Sequence, residues 1–120
     1  MASHRVLRVS EIIRNELAMM LVKGEVADPR LQPVTIQKVS ITADLQIARV
    51  HYSVFGDESE KKGAEIAWKK ANGFIRRKMA KVLNLRVVPH FEFYIDSSAE
   101  HAARISSLIS DIKKEADENN

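Results

Sequence analysis

Ala48-Arg49-Val50-His51-Tyr52-Ser53-Val54-Phe55-Gly56-Asp57-Glu58-Ser59-Glu60 is the stretch on which the fold turns. Up to Val54, apolar and polar residues alternate, which puts Ala48, Val50, Tyr52 and Val54 on one buried face of a strand. From Gly56 the period changes. Asp57 and Glu60 have capping-box spacing, and early acids suit the positive end of a helix dipole. Ala64, Ala67, Trp68, Ala71, Ile75, Met79, Val82 and Leu83 then keep one apolar side at helical spacing. A strand thus feeds directly into an amphipathic helix.

Upstream, Val34 to Thr42 is β-branched and reads as a strand, but its apolar parity changes between Ile36 and Val39. That change predicts a bulge or a late strand start. Ala43-Asp44-Leu45-Gln46 reads as the connection of an antiparallel hairpin, with Asp44 bonding local backbone. Residues 5–23 carry Val6, Val9, Ile12, Ile13, Leu17, Met20 and Leu21 at helical spacing, with Ser3 as N-cap and Gly24 as terminator. Asp28-Pro29-Arg30-Leu31 and Pro33 predict an extended connection, because proline disfavours helix at the residue before it.

Downstream, Gly73 in Ala71-Asn72-Gly73 predicts a bend or break in the second helical region, since glycine costs ~1 kcal/mol inside a helix. Phe91, Phe93 and Ile95 alternate with Glu92 and Tyr94 as a third strand, and the aromatic side chains are expected in the core. Ser97 and Glu100 open a last helix with Ala103, Ile105, Leu108, Ile109 and Ile112. The order α-β-β-α-kink-α-β-α predicts an α+β domain. Its three-stranded sheet is mixed, because a return to the sheet through helices makes a parallel crossover. Helices cover one face, residues 1–114 form a single domain, and residues 115–120 are a polar tail.

The chain has 120 residues, 45% hydrophobic and 29% charged, within the ordinary range for one globular domain. No apolar run is long enough to span a membrane, and no secretory signal pattern opens the chain. Cysteine is absent, so disulfides, thiolate metal sites and cysteine nucleophiles are excluded, and a cytoplasmic location is the economical expectation. His4, His51, His90 and His101 have no ligand spacing, and no catalytic or phosphate-loop motif is present. No metal, cofactor, catalytic residue or small-molecule substrate is therefore expected.

Charge distribution is the informative feature. Between Lys61 and Arg86, nine basic residues less the single acid Glu65 leave +8, while the whole chain carries only +3. A solvated helix face normally mixes signs, and like charges on one helix repel unless a polyanion offsets them. Lys70, Arg77 and Lys81 share one stripe opposite Ile75, Met79 and Val82, and Lys69 and Arg76 flank it. A glycine at position 73 between two helices would let a phosphate backbone approach and would expose amide donors at the next helix start.

Taken in order, several short pieces are similar to the ribosome-binding factor A family over nearly the whole chain. They are Arg5-Val6, Arg8-Val9, Asp28-Pro29-Arg30-Leu31, Val34-Thr35-Ile36, and Asp44-Leu45 with Ala48 and Val50. Ala71-Asn72-Gly73-Phe74-Ile75-Arg76, Leu85-Arg86, Pro89, Phe93 and Asp96 complete the series. The resemblance implies a type II KH-like fold with an Ala-x-Gly kink in place of the usual glycine loop. It implies a non-enzymatic maturation factor that binds small-subunit ribosomal RNA in the immature particle and assists late processing and cold adaptation. His90, Met79 and Ala102-Ala103 depart from the family's usual residues, none on the expected RNA surface.

The expected RNA contacts are Lys69, Lys70, Asn72, Gly73, Arg76, Arg77, Lys78, Lys81 and Arg86, with Arg5 and Arg8 secondary. The expected partner is small-subunit ribosomal RNA within an immature or free small subunit, bound by a monomer through phosphates more than base edges. The rival readings are a protein-interaction adaptor and a DNA-binding domain using the same basic helix.

Overall fold

The computed structural model describes residues 3–96 and Ile112. The first helix, α1, runs His4–Lys23. The Ser3 hydroxyl accepts the Val6 N–H at 3.2 Å, satisfying one of the free amides at the helix start. At the other end Gly24 takes φ 69°, its N–H donates to the Leu21 carbonyl, and the Glu25 N–H returns to Met20 at 3.0 Å. That paired closure needs a left-handed residue, which glycine supplies without strain. Val6, Val9, Ile13, Leu17 and Met20 form the buried side.

The segment after α1 corrects the expected extended connection. Pro29–Leu31 is a single 3₁₀ turn. Asp28 accepts the Arg30 N–H at 3.0 Å and grips the Arg30 guanidinium at 2.9 and 2.7 Å. Proline at the first helical position fits this turn because its φ is already set. Leu31 is thereby turned into the core.

Strands β1 (Val34–Ile41) and β2 (Ile47–Val54) pair antiparallel. Ile36 pairs with Tyr52 while Lys38 pairs with His51, so Gln37 is the extra residue of a bulge. This explains the parity change, because one inserted residue flips which side chains face inward. Asp44 accepts the Thr42 hydroxyl at 2.6 Å and the Gln46 N–H at 3.2 Å, and Leu45 sits in the left-handed region at φ 61°.

Strand β3 (His90–Ile95) lies parallel to β2, with Ala48 opposite Phe91 and Val50 opposite Phe93. The strand order is β1-β2-β3, and the sheet is mixed as the crossover argument requires.

Helix α2 (Glu58–Leu83) makes that crossover as one helix of 26 residues, about 39 Å at the usual rise. The expected break at Ala71-Asn72-Gly73 is absent. Ala71, Ile75 and Met79 continue the buried row that begins at Ala64. Keeping that row against the core outweighs the ~1 kcal/mol cost of one helical glycine.

Trp68 anchors α2 to the sheet. Its ring stacks on Phe93 at 4.4 Å and meets Tyr52 edge-on at 5.7 Å. Tyr94 departs from the expected aromatic core. It is 44% exposed on the sheet face opposite the described helices, stacks on His51 at 5.6 Å, and donates its hydroxyl to Glu92 at 2.8 Å. Within β3 the alternation sends Phe91 and Phe93 inward and Tyr94 outward. The expected last helix from Ser97 and the tail over 115–120 lie outside the described residues, Ile112 apart. Among those residues, no helix is long and apolar enough to cross a membrane.

Candidate nucleic-acid interface

The entry to α2 is built by Gly56 and Asp57. Asp57 accepts the Glu60 N–H at 3.1 Å, and the Glu60 side chain folds back over Gly56, filling the space a Cβ would need. Gly56 also has φ 154°, a backbone that other residues rarely adopt, so the backbone itself calls for glycine here. Asn84 ends the helix at φ 49°. Between these two ends, the buried row of Ala64, Ala67, Trp68, Ala71, Ile75 and Met79 sets which side chains face outward.

On the outward side, helical geometry places Lys69 and Arg76 along one flank and Lys70, Arg77 and Lys81 along the other. Gly73 and Ala80 form the low crest between them, both exposed. Lys69, Lys70, Arg77 and Lys81 are exposed and have no ion pair among the described residues. Lys70 acts at longer range on Asp28, whose carboxyl is held down at about 2. The causes are first the Arg30 guanidinium hydrogen bond, then the Arg30 amide, with the Arg30 and Lys70 charges adding.

The remaining expected contacts are placed differently. Lys78 is half-buried and paired with Glu25 at 3.4 Å, linking α2 to the end of α1. Arg76 is half-buried, and its Nε lies in the interior without a partner. The Oδ1 of Asn72 and the Nε1 of Trp68 are likewise buried and unpartnered. Trp68, Asn72 and Arg76 are spaced four apart, so these atoms fall on one row along the helix flank.

Gly73 has ordinary helical backbone, and a Cβ added there would meet only the Arg77 Nη1, at 3.4 Å. The expected exposure of amide donors at a second helix start is therefore corrected: α2 has no second start. What Gly73 contributes is a missing side chain on the crest between two cationic rows.

Arg86 and Arg5 come together. Two residues beyond the α2 cap, Arg86 lines a cleft shared with Arg5 from the first turn of α1 and with the hairpin turn at Asp44, Leu45 and Gln46. Arg8 is exposed on α1 and does not line this cleft. Sequence reasoning named both arginines separately and missed their meeting. It also missed the turn residues beside them, which read only as hairpin chemistry. Among the described residues, no group of three histidine, cysteine, aspartate or glutamate side chains is placed to hold a metal ion.

The sequence model of the family described as ribosome-binding factor A matches residues 5–109. A relative of that name from Magnetococcus marinus is 44% identical over 110 residues, covering 91% of this chain and 89% of the relative. Another from Carboxydothermus hydrogenoformans is 40% identical over 119 residues, covering 99% and 94%.

The crystal structure of ribosome-binding factor A from Thermus thermophilus superposes with a TM-score of 0.64. It has 23% identity and covers 75% of this chain and 94% of that one. A homology model of the Thermus thermophilus factor, fitted into an electron-microscopy map of its 30S complex, gives a TM-score of 0.58 at 23% identity, covering 79% and 94%. The shared fold is α+β and KH-like.

Proposed function

Because this chain belongs to the ribosome-binding factor A family, we propose that it is a non-enzymatic assembly factor that docks on small-subunit ribosomal RNA in the immature subunit. The observation that carries this reading is the outward side of α2, where Lys69, Lys70, Arg77 and Lys81 stand exposed with no carboxylate paired to them among the described residues. Such an arrangement repels itself on the free protein and is relieved by a phosphate backbone. The rows flank a crest without bulk at Gly73 and Ala80, so a strand can settle close to the helix between them. A related factor's coordinates have been fitted into a 30S complex, which supports the same partner here.

In this reading the phosphates supply affinity and the shape of the RNA supplies selectivity. Arg76 and Lys78 help to position α2, and Arg5 and Arg86 extend the cationic surface past its end. The protein acts as a monomer in the cytoplasm, supporting late maturation and processing of the ribosomal RNA, including growth in the cold.

The test is co-sedimentation in one gradient of free small subunits, assembled ribosomes and polysomes. The protein is expected to travel with free small subunits and to be absent from polysomes. Equal occupancy of polysomes, or no association with small subunits, would overturn the reading.

A further inference from the structure

The cleft of about 300 Å³ between the start of α1, the hairpin turn and the loop after α2 has three chemically distinct walls. One wall is cationic. Arg5 lies in the first turn of α1, where acids are the favoured residues, yet that turn holds none. Neither Arg5 nor Arg86 has an ion pair among the described residues. Two guanidiniums lining one cleft make a phosphate site.

The second wall is apolar and consists of Leu45, Leu85 and Val87, of which Val87 is 66% exposed. A leucine held at φ 61° is an uncommon backbone state, and it sits on the lip of this cleft.

The third wall is polar and fixed. Asp44 is occupied by the Thr42 hydroxyl and the Gln46 amide, which hold its carboxyl below the usual range. The Gln46 carbonyl accepts the His90 N–H at 2.8 Å. The turn is therefore preformed, as small-ligand pockets usually are. A carboxylate on this wall repels phosphate, so an anion is driven to the arginine side. A nucleobase, with its exocyclic amine donors and flat apolar faces, suits the carboxylate and leucine side.

Position adds the last element. Lys81 stands on the last turn of α2, Asn84 turns the chain, and Arg86 follows. A strand laid along the outward cations of α2 thus continues toward the cleft. Proteins that read single-stranded RNA commonly receive bases that have left the stack.

We infer that this cleft receives one unstacked nucleotide of the bound RNA, with its phosphate on Arg5 and Arg86 and its base against Leu45, Leu85 and Val87. The inference rests on the docking reading above. It adds to that reading a subsite able to sense the base.

The test uses amide-resolved NMR titrations of the full chain with adenosine monophosphate, adenosine and inorganic phosphate in parallel. Adenosine monophosphate is expected to shift the amides of Asp44, Leu45, Gln46, Leu85 and Arg86, and to bind more tightly than either half-ligand. Arg5→Gln with Arg86→Gln is expected to weaken it by about tenfold, through removal of charge-assisted hydrogen bonds to the phosphate. Val87→Glu, at an exposed position, is expected to weaken the nucleotide more than it weakens phosphate. Phosphate binding as tightly as the nucleotide, or shifts spread outside the cleft, would overturn the inference.

Arg77→Glu with Lys81→Glu separates the two claims. If that variant loses ribosomal RNA while no nucleotide enters the wild-type cleft, the subsite falls and the docking reading survives. If it keeps full RNA affinity while the cleft still takes the nucleotide, the α2 docking reading falls instead.

Discussion

The two halves of α2 share one buried row and one backbone, yet they present opposite kinds of surface. From Glu58 to Glu65 the exposed side mixes signs, and Lys61 pairs with Glu58 at 3.4 Å. From Ile66 to Leu83 there are six bases and no acid, and the one ion pair formed within the described residues is borrowed from Glu25 on another element. The helix dipole favours acids at the start and bases at the end, but that effect is confined to the terminal turns. It explains Glu58, Glu60 and Lys81. It does not explain Lys69, Lys70, Arg76 and Arg77 in the middle. The first half mixes signs and carries its own ion pair, whereas in the second half, among the described residues, only Lys78 is paired.

The sharpest way to break this comparison is to reverse charge in each half separately. Arg77→Glu with Lys81→Glu is expected to lower affinity for ribosomal RNA or small subunits by well over tenfold. It should also reduce the salt dependence by about 0.7 in log–log slope for each single-strand phosphate that is no longer neutralised. The thermal midpoint should hold or rise slightly, since like-charge repulsion four residues apart is worth only ~0.2–0.5 kcal/mol. Lys62→Glu, exposed in the first half, is expected to change affinity by less than about threefold, as one distant charge acting through screening ions. Equal losses in both variants would show that net charge matters and the division within α2 does not.

A gentler probe is Gly73→Ala, at the crest of the second half. Its backbone is helical and only the end of a flexible arginine lies near, so alanine is expected to stabilise the protein by ~1 kcal/mol. Denaturant unfolding reads this directly. Destabilisation would mean that a glycine-specific geometry exists at this position after all. If the crest must be bare for the RNA, the same variant binds less tightly while being more stable, which separates a docking role from a folding role.

The smallest expected effect concerns the turn against which the first half leans, where Arg30 packs beside Gly63. Asp28, held down at about 2 chiefly by Arg30, favours the folded state while it is ionised. Because the folded value is depressed below the ordinary aspartate value of 3.8, this contribution is complete above that ordinary value and is lost as pH falls through about 2. Asp28→Asn should therefore flatten stability against pH in that window and leave neutral-pH RNA affinity unchanged. A parallel, unflattened profile would show that the clamp contributes nothing to folding.

The elements that were legible in the sequence are those whose causes are local. Ser3, Gly24, Asp57 and the Asp44 turn act within a few residues, and each performs the expected capping or turning. The bulge at Gln37 was legible as a broken alternation, because the core accepts only one parity per strand. Gly73 was misread. Propensity weighs one residue at a time, whereas the continuous buried row of Ala71, Ile75 and Met79 was decided by the surface it packs on. Pro29 was misread for a similar reason, since Asp28 and Arg30 close a turn that the proline rule alone does not reveal.

The cationic surface divides in the same way. Composition and helical spacing by themselves determined that α2 carries an unbalanced positive side, because charge order and a 3.6-residue period are written in the chain. Only the tertiary structure decided which of those cations stand free. Lys78 reaches Glu25 because α1 ends beside α2, and Arg76 is half-buried with its Nε in the interior. Only the tertiary structure brought Arg5 and Arg86 to one cleft, since residues so far apart in sequence meet through the parallel β2–β3 pairing and the docking of α1. Local patterns declare what a segment can do; which groups converge is set by how the buried faces of separate segments fit together.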